Sequence, residues 1–314
     1  MMKYILKRLL QLIPILIGIT FLSFAMMRIA GSDAVTELYT AHGSAVSQEV
    51  IDARKAELGL DKPFLVQYGV WLLHLLQGDM GQSYISGNDV FDTFISKLPA
   101  TLLLTFLSVI LTVLISIPLG ILSAVHQGRI VDIILRFISF VGNAMPNFFV
   151  AMVLMQILSI RLNLLPVISS GVNLRSAWMP MLTLAISMSA KYMRQVRASV
   201  LDELNKDYVS GLKSRGLRNS VILWKNVMKS AMLTIVTLLA LSIGSLLGGT
   251  AIIESIFMWD GVGKLAVDAI NMRDYPMIQA YVMWMAIIYV VVNLVTDCLY
   301  HYMDPRIRLG VVEE

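Results

Sequence analysis

This 314-residue sequence predicts an all-α membrane protein with six transmembrane helices and both termini in the cytoplasm. Three observations predict it. The chain is 57% apolar and only 15% charged, with a mean hydropathy of +0.74, far from the composition of soluble globular domains. Apolar runs of about 20 residues, the length needed to cross roughly 30 Å of hydrocarbon, recur along it. Lys and Arg gather in alternate connecting segments.

The runs place spans at residues 9–27, 100–125, 137–160, 177–193, 232–257 and 278–300, the fourth being the shortest. Each is expected to be helical, because an isolated segment in lipid can satisfy its backbone groups only internally. With the N-terminus inside, Lys3, Lys7, Arg8, Arg129, Arg136, the dense stretch from Lys191 to Lys229, Arg306 and Arg308 fall on the cytoplasmic side. The outer segments carry Arg28, Arg54, Lys55, Lys62, Lys97, Arg161, Arg175, Lys264 and Arg273, more thinly spread and offset by carboxylates from Asp33 through Asp274. The formal charge of +4 follows from this asymmetry. Its basic residues are loop residues rather than a groove, so it needs no nucleic-acid partner.

The first run reads as a retained span (residues 1–27). It exceeds the 7–15 residues of a signal-peptide core, and no small-residue cleavage site precedes Arg28. Residues 28–99 form the longest aqueous excursion, expected to be a compact extracytoplasmic cap. SQEVIDARKAELG reads as a helix stopping at Gly59, and VQYGVWLLHLLQG as a short amphipathic helix ending at Gly78. Pro99 suits the first turn of the second span. Pro14, Pro118, Pro146 and Pro180 lie inside or at the mouths of spans, where neighbouring groups can recover the freed carbonyls. Two readings stand for them: kinks that shape a pathway, or ordinary curvature. Cys298 is the single cysteine, which excludes a disulfide framework and a thiolate cluster.

No enzyme signature is present. GVGK at 261–264 has Met258 where a phosphate loop requires Gly, and it lies in an external segment, so no nucleotide site is expected. His42, His74, His126 and His301 show no ligand spacing, and no metal site is expected. The stretch from Lys191 to Lys229 is different in kind. It is rich in Lys and Arg, carries Leu201, Leu204, Tyr208 and Leu212 at helical spacing, and has Gly216 to stop the helix. Two readings stand: a helix offered to a partner, or a solvated helix at the lipid headgroups.

Ten segments, taken in order, point to a family. They are ELGLDKP (57–63), VQY (66–68), GDMGQSY (78–84), LPATL (98–102), AMPNFF (144–149), LLP (164–166), DYVSGLKSRGL (207–217), GGTAIIESIF (248–257), NMRDYPMIQ (271–279) and DPRIR (304–308). Over nearly the whole chain they resemble the membrane subunit of the peptide/nickel/opine ABC importers.

The resemblance implies a type I ABC importer permease fold in a bacterial cytoplasmic (inner) membrane. Residues 100–314 would form a five-helix core with a cytoplasmic coupling loop (194–229) and an external segment (258–277). It implies a second, homologous permease, two ATPase subunits that use ATP and Mg, and an extracytoplasmic solute-binding protein as partners, with lipid around them. It also implies that this chain binds no cofactor of its own. In that family a short helix in the coupling loop carries the EAA motif and docks on the ATPase. On this sequence it comprises Leu204, Asp207, Tyr208, Ser210, Gly211, Leu212 and Gly216. The chain departs from the pattern at Ser210, where the family has Glu, at Thr234, where the motif ends in Pro, and at Asp260, where Pro usually follows Trp.

Polar groups at membrane depth are costly and face protein or water. Asn143, Met145, Asn147 and Glu254 are therefore the candidates for the translocation pathway, and Asp297 for an interhelical pair. Gly244, Gly248 and Gly249 place small residues four apart in the fifth span, which serves either a gate or plain packing. The resemblance is nearest to the nickel and metal–opine members, so the expected solute is nickel, free or chelated, with di- or oligopeptides as the alternative. Twenty Met residues suit a soft-ligand lining and equally an adaptable apolar filling. A stand-alone secondary transporter is the other class weighed. It would call for matched repeats and coupling-ion carboxylates, whereas no internal repeat is found and only Asp297 lies well inside a span.

Overall fold

The computed structural model describes residues 2–29, 35, 47–168 and 171–303, and those residues form helices joined by turns and loops, with a β-bridge between Gln82 and Asp89. In order they form α1 (Met2–Ile29), α2 (Gln48–Glu57), α3 (Phe64–Leu76), α4 (Val90–Val125), α5 (Ile130–Ala144) and α6 (Asn147–Leu154), the last continued by a π-helical stretch, Met155–Arg161. Then come α7 (Leu174–Leu204), α8 (Asp207–Ser214), a turn Asn219–Val221 with a second π-helical stretch Ile222–Val227, α9 (Met228–Ile256), α10 (Val262–Met272) and α11 (Tyr275–Met303). The segment DPRIR at 304–308 and His42 lie outside the described residues.

The chain divides into two compact units, residues 1–101 with 260–290 and residues 102–259 with 291–314. In the first, the C-terminal half of α1 packs on α3 through Phe21, Phe24, Phe64, Tyr68 and Trp71, whose rings meet mostly edge to face. The Tyr68 hydroxyl is not wasted in that cluster: it lies 3.0 Å from Thr20 Oγ1 and 3.2 Å from the Ile17 carbonyl. Two of the segments that carry the resemblance meet here. Asp274, buried, accepts a hydrogen bond from Ser83 Oγ at 2.5 Å and from the Tyr84 N–H at 3.1 Å. Asp260, one of the departures from the family pattern, lies 2.5 Å from Lys97 Nζ. Trp284 stacks on Phe94 and donates to Met80 sulfur.

In the second unit α5, α6 and α9 all pack on α7. Gly120 of α4 permits a close approach to the same helix, since a Cβ there would lie 2.6 Å from Val196 Cβ and 2.9 Å from the Met193 carbonyl oxygen. α7 begins where Asn173 Oδ1 accepts from the Ser176 N–H at 2.9 Å, a side-chain N-cap.

Four helical segments are long and apolar enough to cross a membrane, Leu10–Ile29, Val90–Val125, Asn219–Ala240 and Tyr275–Cys298, and a bent pair raises the number to five. That pair corrects one expectation. Residues 137–160 do not form one helix: α5 and the α6 segment meet at a bend of 105°. Pro146 lacks an N–H and pushes Met145 into extended backbone (φ −81°, ψ 130°), so α5 ends there and α6 restarts with Pro146 as its N-cap. α7, where the fourth span is expected, runs unbroken for 31 residues. Arg175, Lys191, Arg194 and Arg197 confine its uncharged stretch to residues 176–190, below the usual spanning length.

Candidate functional site

The candidate site is α8 and the ground it stands on. α7 stops at Leu204. Asn205 caps it, and Lys206 turns to extended backbone (φ −75°, ψ 150°) before α8 starts at Asp207. Asn and Asp bond their own backbone readily and so favour such breaks. α8 ends at Ser214, two residues before Gly216, whose φ of +78° is left-handed. There the Gly216 N–H reaches the Lys213 carbonyl and the Leu217 N–H reaches that of Leu212, the paired bonds of a glycine C-cap. The stop expected at Gly216 is where the chain places it.

The apolar stripe is not presented as the sequence reading has it. Leu201 and Leu204 belong to α7, and Leu212 to α8. All three pack inward on a cluster with Val196, Val200, Ile222, Val227 and Met228. Val209, which periodicity alone did not single out, is the fully buried anchor of α8. What faces away is polar or small: Asp207, Ser210, Gly211, Lys213, Ser214, Arg215 and Gly216 are exposed, and Tyr208 is 38% exposed. A Cβ added at Gly211 would meet nothing within 4 Å. Tyr208 donates to Glu203 Oε2 at 3.0 Å, and Lys206 Nζ lies 2.5 Å from Glu203 Oε1. Burial, and after it the Glu203 carboxylate, raises the Tyr208 phenol above its ordinary value, so it remains a neutral donor.

Ten residues before α8, Arg197 grips a carboxylate that sequence reasoning missed. Asp132, at the start of α5, is fully buried. Its Oδ1 accepts from Arg197 Nε at 2.7 Å and Ser123 Oγ at 2.6 Å, and its Oδ2 from Arg197 Nη2 at 2.9 Å and the Gly128 N–H at 3.0 Å. Arg136 Nη1 stands 3.9 Å away. The pair ties the end of α4, the start of α5 and the last turns of α7 into one block beneath α8. A lone Asp opening an apolar helix was the only signal available in the sequence.

The other expected residues are dispersed. Asn143, Met145 and Asn147 flank the bend at Pro146, with both Asn side chains exposed. Glu254 is instead fully buried in α9 and has an interaction partner within the chain. Asp297, half-buried, also has one. Gly244 is buried, while Gly248 and Gly249 are exposed and a Cβ on either would meet nothing within 4 Å. Among the described residues no helix approaches closely at Gly248 or Gly249. Among the described residues no three His, Cys, Asp or Glu side chains group as a metal cage requires.

Comparison with known proteins identifies the family. The description "Binding-protein-dependent transport system inner membrane component" matches residues 116–309, and the N-terminal part of such a component matches residues 1–105. The chain belongs to this family of transport components. Full-length relatives agree. The chain is 38% identical to the oligopeptide transport system permease protein AppB of Bacillus subtilis (strain 168), over 98% of this chain and 100% of that one. It is 34% identical to the metal-staphylopine import system permease protein CntB of Staphylococcus aureus (strain NCTC 8325 / PS 47), over 99% of each. The fold matches the MetNI methionine ABC transporter in an inward-facing form, with TM-score 0.54 at 15% identity over 68% of this chain and 97% of that one. As a transport component of this kind the chain is a multi-pass membrane subunit, and ATP hydrolysis belongs to separate subunits.

Proposed function

We propose that this component is one half of the membrane pathway of an ATP-binding-cassette importer in a bacterial inner membrane, with six spans and both termini cytoplasmic. α8 is then the coupling helix, and a second permease, two ATPases using ATP and Mg, and an extracytoplasmic solute-binding protein complete the machine. The observation that carries this reading is the geometry of α8: a two-turn helix pinned from behind by Val209 and exposed in front at Ser210, Gly211 and Ser214. A helix backed in this way, with Ser210, Gly211 and Ser214 small at its front, suits docking into a cleft. Nucleotide-driven movement of the ATPases biases the pathway between inward- and outward-open states only if it changes contacts at such a helix. Asn143 and Asn147 at the bend in the third span serve as pathway-lining groups, and the open Gly248 and Gly249 on α9 suit close packing by the second permease.

The solute assigned to the pathway is nickel, free or chelated, which the metal-staphylopine relative supports. Oligopeptide import is the second reading, favoured by the relative at 38% identity over the whole chain. Uptake by cells lacking the gene decides between them. Loss of radioactive nickel entry with peptide use retained is the expected result. Undiminished nickel entry with lost peptide use assigns the peptide reading, and unchanged uptake of both removes the importer reading.

A further inference from the structure

α3 (Phe64–Leu76) contains no Asp, Glu, Lys or Arg, and at 13 residues it is apolar but too short to span a bilayer. An apolar helix of that length is either buried in a protein core or lies at a membrane surface. Exposure excludes the first: Leu65 is 69% exposed, Leu73 55% and Leu76 79%. These residues fall within about 80° of one another around the helix, at roughly 100° per residue, and so form one aliphatic face. Gln67 and His74 lie on another side, where they line a cavity beside the 79–87 loop.

The packing on α1 sets the depth of α3. Phe64 and Trp71, two turns apart, both meet the Phe24 ring, at 5.4 and 6.4 Å between centroids, so α3 crosses α1 rather than running along it. Between them Gln67 accepts from Arg28, next to the end of α1. Tyr68 reaches the other way, donating to the Ile17 carbonyl at 3.2 Å in the middle of the apolar stretch Leu10–Ile29. The crossing at Phe24 therefore lies about 8 Å inside the end of that stretch, at about 1.5 Å per residue. Helices that lie in the plane of a membrane bury their apolar face to about that depth, roughly 5–10 Å. Leu22 and Met26, on the same turns of α1, are exposed as well, so both helices present apolar surface at one level. Tyr68 and Trp71, stacked 5.9 Å apart, are the kinds of side chain enriched where a membrane meets water.

We propose that α3 is an interfacial membrane anchor, lying in the plane of the bilayer where α1 leaves it, with Leu65, Leu73 and Leu76 among lipid acyl chains and Gln67 and His74 turned to the aqueous side. α3 then does not belong to the water-filled part of the 28–99 excursion. It fastens that excursion to the membrane and holds the cavity at the membrane surface. That the leaflet is the outer one rests on the topology proposed above; that the aliphatic face lies in lipid does not.

The test is nitroxide labelling of Leu65→Cys, Leu73→Cys, Leu76→Cys and His74→Cys, each in a Cys298→Ser background, in the assembled complex in phosphatidylethanolamine and phosphatidylglycerol proteoliposomes. Collision rates are read with oxygen, which concentrates in hydrocarbon, and with chromium oxalate, an anion excluded from it. Labels at 65, 73 and 76 should meet oxygen severalfold more often than chromium oxalate, and the label at 74 the reverse. The replaced side chains are exposed, so the melting temperature should not change. The unsubstituted chain supplies a second reading: phosphatidylglycerol carrying a diazirine on its acyl chain should cross-link within residues 64–76. Preference for chromium oxalate at 65, 73 and 76 makes the face aqueous, and rare collision with either reagent makes it an interface with another protein chain; each overturns the anchor, as does the absence of lipid cross-links. The leaflet is read separately by labelling His74→Cys with an impermeant maleimide outside intact cells. Oxygen preference at the three leucine positions with maleimide labelling only after permeabilisation leaves the anchor standing and overturns the proposed topology.

Discussion

Replacing Asp132 with Ala should cost the protein about 3–5 kcal/mol, the usual consequence of removing one member of a buried ion pair and leaving the other uncompensated. The expectation comes from the geometry. Asp132 is 0% exposed and takes four hydrogen bonds, two of them from the fork of Arg197. In the variant the guanidinium keeps its charge but loses both acceptors, and Ser123 and the Gly128 N–H lose theirs. Thermal unfolding of the purified chain in detergent reads the loss directly. A second variant separates the pair's charge chemistry from the packing around it. Exchanging both residues for apolar ones, Asp132→Leu with Arg197→Met, should recover most of the stability, because a buried pair replaced whole by well-packed apolar groups is often neutral or better. A single Asp132→Ala loss below about 1 kcal/mol, or a double variant as unstable as the single one, contradicts this account of the block beneath α8.

The second large effect is functional and leaves the fold alone. Gly211→Trp should abolish transport while changing thermal stability little. The added ring starts from open space, with nothing within 4 Å of the new Cβ, so the folded chain accommodates it. A cleft shaped to a bare helix face does not. The complex should then hydrolyse ATP without moving solute, or fail to assemble. Val209→Ala has the opposite signature. It removes the anchor at the back of α8 and should lower stability by about 0.5–2 kcal/mol, the range between trimming one methylene and emptying a larger side chain. Wild-type uptake by Gly211→Trp removes α8 from the coupling path.

What was legible in the sequence was local. The apolar helices Leu10–Ile29, Val90–Val125 and Tyr275–Cys298 follow from hydropathy, and the end of α8 follows from Gly216, because a left-handed residue after a helix is a property of one position. The misreadings are all cases where the neighbour decides. Leu201, Leu204 and Leu212 share an apolar periodicity, but periodicity says which residues lie together and not what covers them. Here their own chain covers them, and the break at Asn205 and Lys206 divides them between two helices. Pro146 carried enough information to predict the bend, since both its missing N–H and the constraint on Met145 are local, yet membrane helices tolerate proline often enough to hide it. Asp132 and Arg197 are 65 residues apart, and Ser83 and Asp274 are 191 apart. Nothing in a single sequence pairs them.

Cross-linking from α8 tests the account most directly. A Cys placed at Ser210 in a Cys298→Ser background, in the assembled importer, should form a short cross-link to an ATPase subunit, and nucleotide should change its yield. Labelling of the same Cys by a membrane-impermeant reagent added from outside intact cells, with no cross-link to any ATPase subunit, would contradict it.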